Sequence, residues 1–192
     1  MQKKLWNFVV VSMFKDEAEY FEEWICHYIG LGVDHFVLYN NNSVDNSREV
    51  LFKYINRGIV TLIDWPMRGG QVEAFNHAAT LFGRSTEWVA FLDVDEFLIF
   101  KGGWTLGSYL DSVGDEVEQI ILPWRNFSFS GHKTPASGLI TESFLWASKS
   151  TKVQTKHVVR TSALVRAGVH SSLTKNKKRY LRMAKLLRQA LQ

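Results

Sequence analysis

Apolar residues fall along the first hundred positions in two alternating patterns. Asn7 to Met13 carries the run Phe8-Val9-Val10-Val11, which predicts a strand buried on both faces. Lys15-Asp16-Glu17 then opens a helix. In it Phe21, Trp24, Ile25, Tyr28 and Ile29 recur at helical spacing, Glu19, Glu22 and Glu23 lie opposite, and Gly30 and Gly32 mark the end. His35 to Tyr39 predicts a second strand, followed by a polar turn at Asn40-Asn41-Asn42-Ser43. Ser47 is placed to cap a helix reaching Arg57, with Gly58 as its stop. A third strand at Ile59 to Ile63, a helix from Val72 to Leu81 after Gly69-Gly70, and a fourth strand at Trp88 to Leu92 complete the series. Such β-α alternation predicts an α/β domain with a mainly parallel sheet.

Beyond Glu96 the pattern loosens. It predicts a short helix over Leu106 to Ser112 and strands at Gln119 to Trp124, Leu139 to Trp146 and His157 to Arg160. From Lys175 to Gln192, Tyr180, Met183, Ala184, Leu187, Ala190 and Leu191 share one face of a helical projection, so a basic amphipathic helix is expected there. The chain divides accordingly into a domain over 1–173 and a terminal helix over 174–192. With 192 residues, 46% of them hydrophobic, it is sized for one core.

Charge sharpens this picture. Residues 1–142 hold all 19 acids and 11 of the 23 Lys/Arg, whereas residues 143–192 hold the other 12 and no acid. The C-terminal part is therefore expected to face something anionic: a phosphorylated substrate, an anionic membrane leaflet, nucleic acid or the acidic front half. A single cysteine, Cys26, excludes an internal disulfide and points to a reducing compartment. The N-terminal apolar stretch is too short and too broken for a signal peptide, and no run of 18 apolar residues occurs. Together these features predict a cytoplasmic protein, with peripheral contact at the inner face of a membrane expected through the terminal helix.

The strongest chemical signal is Asp93-Val94-Asp95-Glu96, delivered by the apolar run Val89 to Leu92. Ligands of open α/β sheets sit beyond the carboxyl ends of the strands, where Lys15-Asp16, Asn40 to Asp45, Asp64 and this acidic cluster all fall. Three acids in four residues repel one another and call for a cation. Alternate residues of an extended chain point the same way, so Asp93 and Asp95 are expected to share one hard cation of the kind a diphosphate needs.

Several motifs recur together: Lys15-Asp16-Glu17, Glu23-Trp24, Gly32-Val33-Asp34-His35, Asn41-Asn42-Ser43-Val44-Asp45 and Asp93-Val94-Asp95-Glu96-Phe97. In order and spacing, over about residues 8–170, the chain resembles the glycosyltransferase family 92 and family 2-like group. The resemblance implies a GT-A fold, Rossmann-like, with a mainly parallel sheet flanked by helices. It also implies Mn²⁺ or Mg²⁺, a nucleotide-sugar donor (a UDP-hexose or UDP-N-acetylhexosamine), and transfer with inversion to a glycan or glycolipid hydroxyl. By that similarity Asp93 and Asp95 hold the metal and diphosphate, which makes Asp95 part of the catalytic centre. The loops at Lys15, Asp16 and Glu17 and at Asn41 to Asp45 hold uridine and ribose, and Gln71 lies near the donor. A family segment matching Lys156-His157-Val158-Val159-Arg160 places Lys156 among the donor-binding residues, and Val169-His170 makes His170 a third metal ligand. The chain departs from the family at Asn40-Asn41, where an Asp is common, at Phe127-Ser128-Phe129-Ser130-Gly131, and after His170.

Inversion needs a carboxylate to deprotonate the acceptor, and Glu142, the only acid after Glu118, is the candidate base. His132 is a weaker candidate for the acceptor loop, while His27, His35 and His77 read as structural. Trp124-Arg125 suits sugar stacking or anion pairing as well as core packing. Two rival readings exist. A haloacid-dehalogenase-like phosphatase would use Asp93 as nucleophile, but Phe97 stands where its pattern wants Thr or Val. A non-catalytic protein binding anionic polymers would use the basic half, but no nucleic-acid motif accompanies it. A dehydrogenase is disfavoured because Lys-Asp-Glu replaces the glycine-rich turn after the first strand.

Overall fold

The computed structural model describes residues 4–100, 104–128, 130–131, 138–149 and 154–176, together with the backbone of residues 179–181 and 184–189. The first half is a β-α alternation: β1 (Trp6–Phe14), α1 (Ala18–Leu31), β2 (His35–Asn40), α2 (Ser47–Asn56), β3 (Val60–Asp64), α3 (Gln71–Phe82) and β4 (Thr86–Phe91). There follow β5 (Glu96–Phe100), α4 (Leu106–Asp111), β6 (Gln119–Phe127), α5 (Ile140–Ser143) and β7 (Thr155–Arg160). A 3₁₀ turn at Thr161–Ala163 leads to the short strands β8 (Leu164–Arg166) and β9 (Leu173–Thr174), then β10 (Arg179–Leu181) and β11 (Ala184–Gln189).

Among these residues one large sheet runs in the order β3-β2-β1-β4-β7-β6-β11-β5, with β10 also paired to β6. β3, β2, β1 and β4 are parallel. Because β1 is followed outward by β2 and β3, while β4 lies on its other side, the strand order reverses between β1 and β4. That reversal opens a crevice at the carboxyl ends of these two strands, the place where open α/β sheets take ligands. β7 is antiparallel to β4, and β6 is antiparallel to β7. β6 therefore runs in the same direction as β4 and ends on the same side of the sheet.

Both faces of the sheet are covered, which explains the continuous apolar run of β1. Phe8 and Val10 pack with Phe21, Trp24, Ile25, Leu51 and Tyr54 of α1 and α2. Val9 and Val11 pack with Ala74, Phe75 and Ala78 of α3. α1 stops at Gly32, whose φ of 95° is left-handed and lets its N–H reach back to the Ile29 carbonyl. The predicted structural histidines are confirmed as such: His35 stacks on Trp6 and bonds to Gly58 and Thr61, His77 meets the Tyr39 hydroxyl, and His27 meets the Leu98 carbonyl.

Three expectations are corrected. Leu139 to Trp146 is not a strand: Ile140–Ser143 forms one helical turn, and a single bridge joins Ala147 to Phe127. The turn forms because the Glu23 carboxylate of α1 accepts from the Ile140 and Thr141 N–H groups, at 2.6 and 3.0 Å, the donors a helix start leaves open. Secondly, residues 179–181 and 184–189 are strands rather than an amphipathic helix. β11 lies between β5, to which it is antiparallel, and β6, to which it is parallel. Pairing satisfies backbone groups on two strands that would otherwise be open edges, and this outweighs local helix preference. The terminal helix on which the expected membrane contact rested is thus not formed by the described residues. No described helix is long and apolar enough to cross a membrane. Thirdly, Ser47 is the first residue of α2 rather than its cap, which is Asn46.

β5, unforeseen in the sequence, starts at Glu96 itself. The Glu96 carbonyl accepts from Trp24 Nε1 at 3.0 Å and from the Tyr28 hydroxyl at 2.9 Å, and the same hydroxyl accepts from the Leu98 N–H at 3.1 Å. α1 thereby holds the exit of the acidic turn. Tyr28→Phe removes only that hydroxyl and leaves the buried Leu98 N–H unsatisfied. The expected cost is about 2 kcal/mol, read as a lower urea midpoint with unchanged slope; an unchanged midpoint would show the bridge to be dispensable.

Candidate functional site

Asp93 to Asp95 is a turn between β4 and β5, closed by the Glu96 N–H on the Asp93 carbonyl at 3.1 Å. The expected convergence by strand alternation is thus replaced by convergence through a turn, which brings in a third carboxylate. Ligand oxygens of Asp93, Asp95 and Glu96 all lie within 4.8 Å of one another. Asp93 is partly exposed, while Asp95 and Glu96 are buried.

Lys156, fully buried at the start of β7, answers this charge. Its ammonium lies 3.0 Å from Asp93 Oδ2 and 3.5 Å from Glu96 Oε2. The antiparallel register, with Val158 opposite Ala90, sets Lys156 level with Leu92, one residue short of the acids. The other Asp93 oxygen accepts from Gln71 Nε2 at 2.9 Å, so α3 also orients this carboxylate. Glu96 Oε2 accepts from the Asp93 N–H at 3.0 Å, whereas Glu96 Oε1 is buried without a hydrogen-bond partner. Burial pushes the Glu96 carboxyl up to about 8; Lys156 opposes that rise, and Asp93 and Asp95 add to it.

Glu17 faces the same cluster from the loop after β1. Its carboxyl is raised to about 7, first by burial and then by Asp95, Glu19, Asp93 and Asp45. An oxygen-only donor set, crowded negative charge and a buried acceptor without a partner fit a hard divalent cation. Asp93, Asp95 and Glu96 are the residues that would hold it.

The remaining loops are tied to one another. Asp16, at a left-handed φ of 56°, accepts from the Val44 and Asp45 N–H groups at 2.7 and 3.3 Å. Asp45 in turn accepts from the Ala18 N–H at 2.8 Å and the Ser47 N–H at 3.0 Å. What burial Asp45 has works against its ionisation, but the Ser47 and Ala18 donors outweigh it and hold its carboxyl below the ordinary range. Asn41 bridges to the Trp65 and Met67 carbonyls, both at 2.7 Å. These three residues clasp the loops after β1, β2 and β3 into one rim, with Lys15 exposed beside them.

His170 and Glu142 stand apart. His170 is outside the carboxylate group; its Nδ1 meets the Thr155 carbonyl at 3.0 Å, and its ring lies edge-on to Trp124 with centroids 5.4 Å apart. Trp124 is buried and in turn approaches the Lys156 ammonium, 5.9 Å from its ring centre. Glu142 is exposed on α5, beyond the carboxyl end of β6. His132 and Phe129 lie outside the described residues. Sequence reading did not anticipate the partners of Lys156, nor the role of Glu23 and Trp24 as anchors for α5 and the acidic turn; the adjacency of Glu23 and Trp24 in one motif was the available signal.

Solved structures share this architecture. Staphylococcus aureus TarS (residues 1–349) in complex with UDP-GlcNAc superposes with a TM-score of 0.61 at 15% identity, covering 97% of this chain and 59% of that one. GalNAc-T7 with UDP, GalNAc and Mn²⁺ gives 0.62 at 12% identity, covering 98% and 45%. Both are GT-A glycosyltransferases, and the fold here is GT-A. The match to Glycosyltransferase family 92 extends over residues 9–191, and the chain belongs to that family. A family 92 protein of rice, Oryza sativa subsp. japonica, is 35% identical over 144 residues, and one of Ricinus communis is 28% identical over 135. Those alignments cover 73% and 68% of this chain but only 25% and 24% of the relatives, so the chain spans about a quarter of their length.

Lys156→Met leaves Asp93 without its cation and is expected to cost about 3 kcal/mol. Combined with Asp93→Asn, the loss should be smaller than the sum of the two, which denaturant melts of the four proteins would read as a double-mutant cycle. Additive losses would show that the pair is not coupled.

The pH dependence has a defined sign. A carboxyl with a raised folded pKa binds its proton more tightly in the native state, so its contribution is complete below 4.5 and is lost as pH rises through about 8. Metal-free protein should lose stability over this interval, with Glu17 adding in the same sense up to about 7. Glu96→Gln should flatten the decline in thermal melts, and an unaltered slope would remove Glu96 as its source.

Proposed function

We propose that this domain is a metal-dependent glycosyltransferase that moves a hexose or N-acetylhexosamine from a UDP-sugar to a glycan or glycolipid hydroxyl. The observation that carries this reading is the set of three carboxylates around one point in the crevice between β1 and β4. The UDP complexes of TarS and GalNAc-T7, the latter also with Mn²⁺, support it at the level of chemistry.

A divalent cation, when bound, supplies positive charge to the departing diphosphate. The chain's own residues define where that happens. Asp93 and Asp95, with Glu96, form the oxygen set; Gln71 and Lys156 fix the rotamer of Asp93; and Trp24 and Tyr28 hold the turn. The rim made by Asp16, Asn41 and Asp45 presents the loop backbone for uridine and ribose, with Lys15 and Glu17 at its mouth. Transfer proceeds with inversion, Glu142 being the base candidate on the acceptor side. Its exposure lets it receive a proton from an incoming hydroxyl and release it to water.

Titration calorimetry of UDP into the protein, with Mn²⁺ and with EDTA, tests the reading. Binding is expected only with metal and is expected to fall at least about tenfold in Asp93→Asn/Asp95→Asn, a loss of about 1.4 kcal/mol or more. Failure of folded protein to bind UDP under either condition would refute the donor assignment.

A further inference from the structure

Trp146 is the most exposed tryptophan of the chain, and no contact described for the acidic cluster involves it. The residue is 64% exposed. The chain reaches it from the carboxyl end of β6, which points the same way as β4, and Phe127 bridges to Ala147 beside it.

Exposure here is not looseness. The Trp146 carbonyl accepts from the Ser128 N–H at 2.8 Å and from the Ser128 hydroxyl at 3.3 Å. Its N–H donates to Ser130 Oγ at 2.9 Å, and the same oxygen accepts from the Leu145 N–H at 2.7 Å. Ser130 does this from a left-handed φ of 51°, a conformation a serine adopts only when its surroundings demand it. On the following strand side, Ser148 donates its N–H to Asn126 O at 2.9 Å, and Arg125 Nε donates to Ser148 O at 3.1 Å.

The ring itself is backed by Gly131. A Cβ at that glycine, where φ is 83°, would lie 3.3 Å from Trp146 Cη2, 3.7 Å from Cζ3 and 4.0 Å from Cζ2. The six-membered ring therefore lies over the Gly131 backbone, where an added Cβ would force it to shift by a few tenths of an ångström. A flat apolar surface, fixed at its backbone by the hydroxyls of Ser128 and Ser130 and backed by Gly131, suits the face of a pyranose. Such a ring offers a patch of C–H bonds on one face and hydroxyls around its rim, and rigid aromatics bind such faces at little entropic cost.

We propose that Trp146 is the stacking platform of a carbohydrate acceptor subsite, held in register by Ser130 and Gly131. This rests on the transferase reading above and assigns a glycan chain to the acceptor side, on the segment that follows β6. Gly131 sets the height of the ring and Ser130 its position along the edge.

Fluorine NMR of the full chain labelled with 5-fluorotryptophan tests the proposal, the Trp146 signal being the one missing from Trp146→Phe. The probes are neutral tetrasaccharides of the gluco, galacto, manno, xylo and N-acetylglucosamine series. At least one is expected to shift the Trp146 signal saturably. For that sugar Trp146→Ala should weaken binding by about tenfold or more, corresponding to one stacking contact. Gly131→Ala, which moves the ring but keeps it, should weaken binding as well, while the affinity for UDP stays unchanged in both variants.

If no sugar of the panel moves the signal, or if the one that binds does so equally well in Trp146→Ala, the proposal is overturned. A response to phosphatidylcholine vesicles without any response to the soluble sugars would overturn it in favour of an apolar partner. Loss of UDP binding in the unaltered protein would instead sink the donor reading, and a shift by oligosaccharide in that case would still leave Trp146 a glycan site.

Discussion

A buried ammonium between carboxylates is the arrangement on which this domain turns. Asp93, Asp95 and Glu96 occupy one tight turn, and without compensation their repulsion would open it. Lys156 supplies one positive charge from a strand remote in sequence, and Glu96 supplies a second remedy by holding a proton near neutrality. The two devices leave a turn that is closed without a metal and still electron-rich enough to take one. A divalent ion entering the cluster competes with the Glu96 proton, so occupancy by metal and by proton are thermodynamically linked.

The surroundings read as scaffolding for that turn. α1 reaches it twice, through the Trp24 indole and the Tyr28 hydroxyl on one carbonyl. α3 reaches it through Gln71. The same α1 extends Glu23 to the start of α5, so one helix spans from the acids to the segment leading to Trp146. The acidic turn and the segment before Trp146 thus share one rigid element rather than resting on two independent loops.

What could be read in the sequence followed its periodicity. β1, β2 and the end of β4 are buried on both faces and therefore appear as apolar runs, which set the parallel sheet and its ligand edge. Asp93 and Asp95 were legible because acids directly after such a run have no packing reason to be there. β5 was not, since its start is hidden inside the acidic cluster. Residues 184–189 have a helical spacing of apolar positions, yet their state is decided by two partner strands far away in the chain, information that no local window contains. The same holds for the site: that Lys156 faces the carboxylates follows from the antiparallel register of β7, which no local window contains.

The position of β11 also shapes how the domain is made. β5 is complete by residue 100, but its partner begins at residue 184, so the strand emerges from a ribosome long before its hydrogen bonds can form. β6 waits similarly on one of its edges. Until that last strand arrives, two unpaired edges are available to other chains, the condition under which nascent β proteins associate. Assembly of the β1–β4 half can precede this step because its crossovers are local. The slow, concentration-sensitive phase of refolding should accordingly belong to the closure of β5 and β6 around β11.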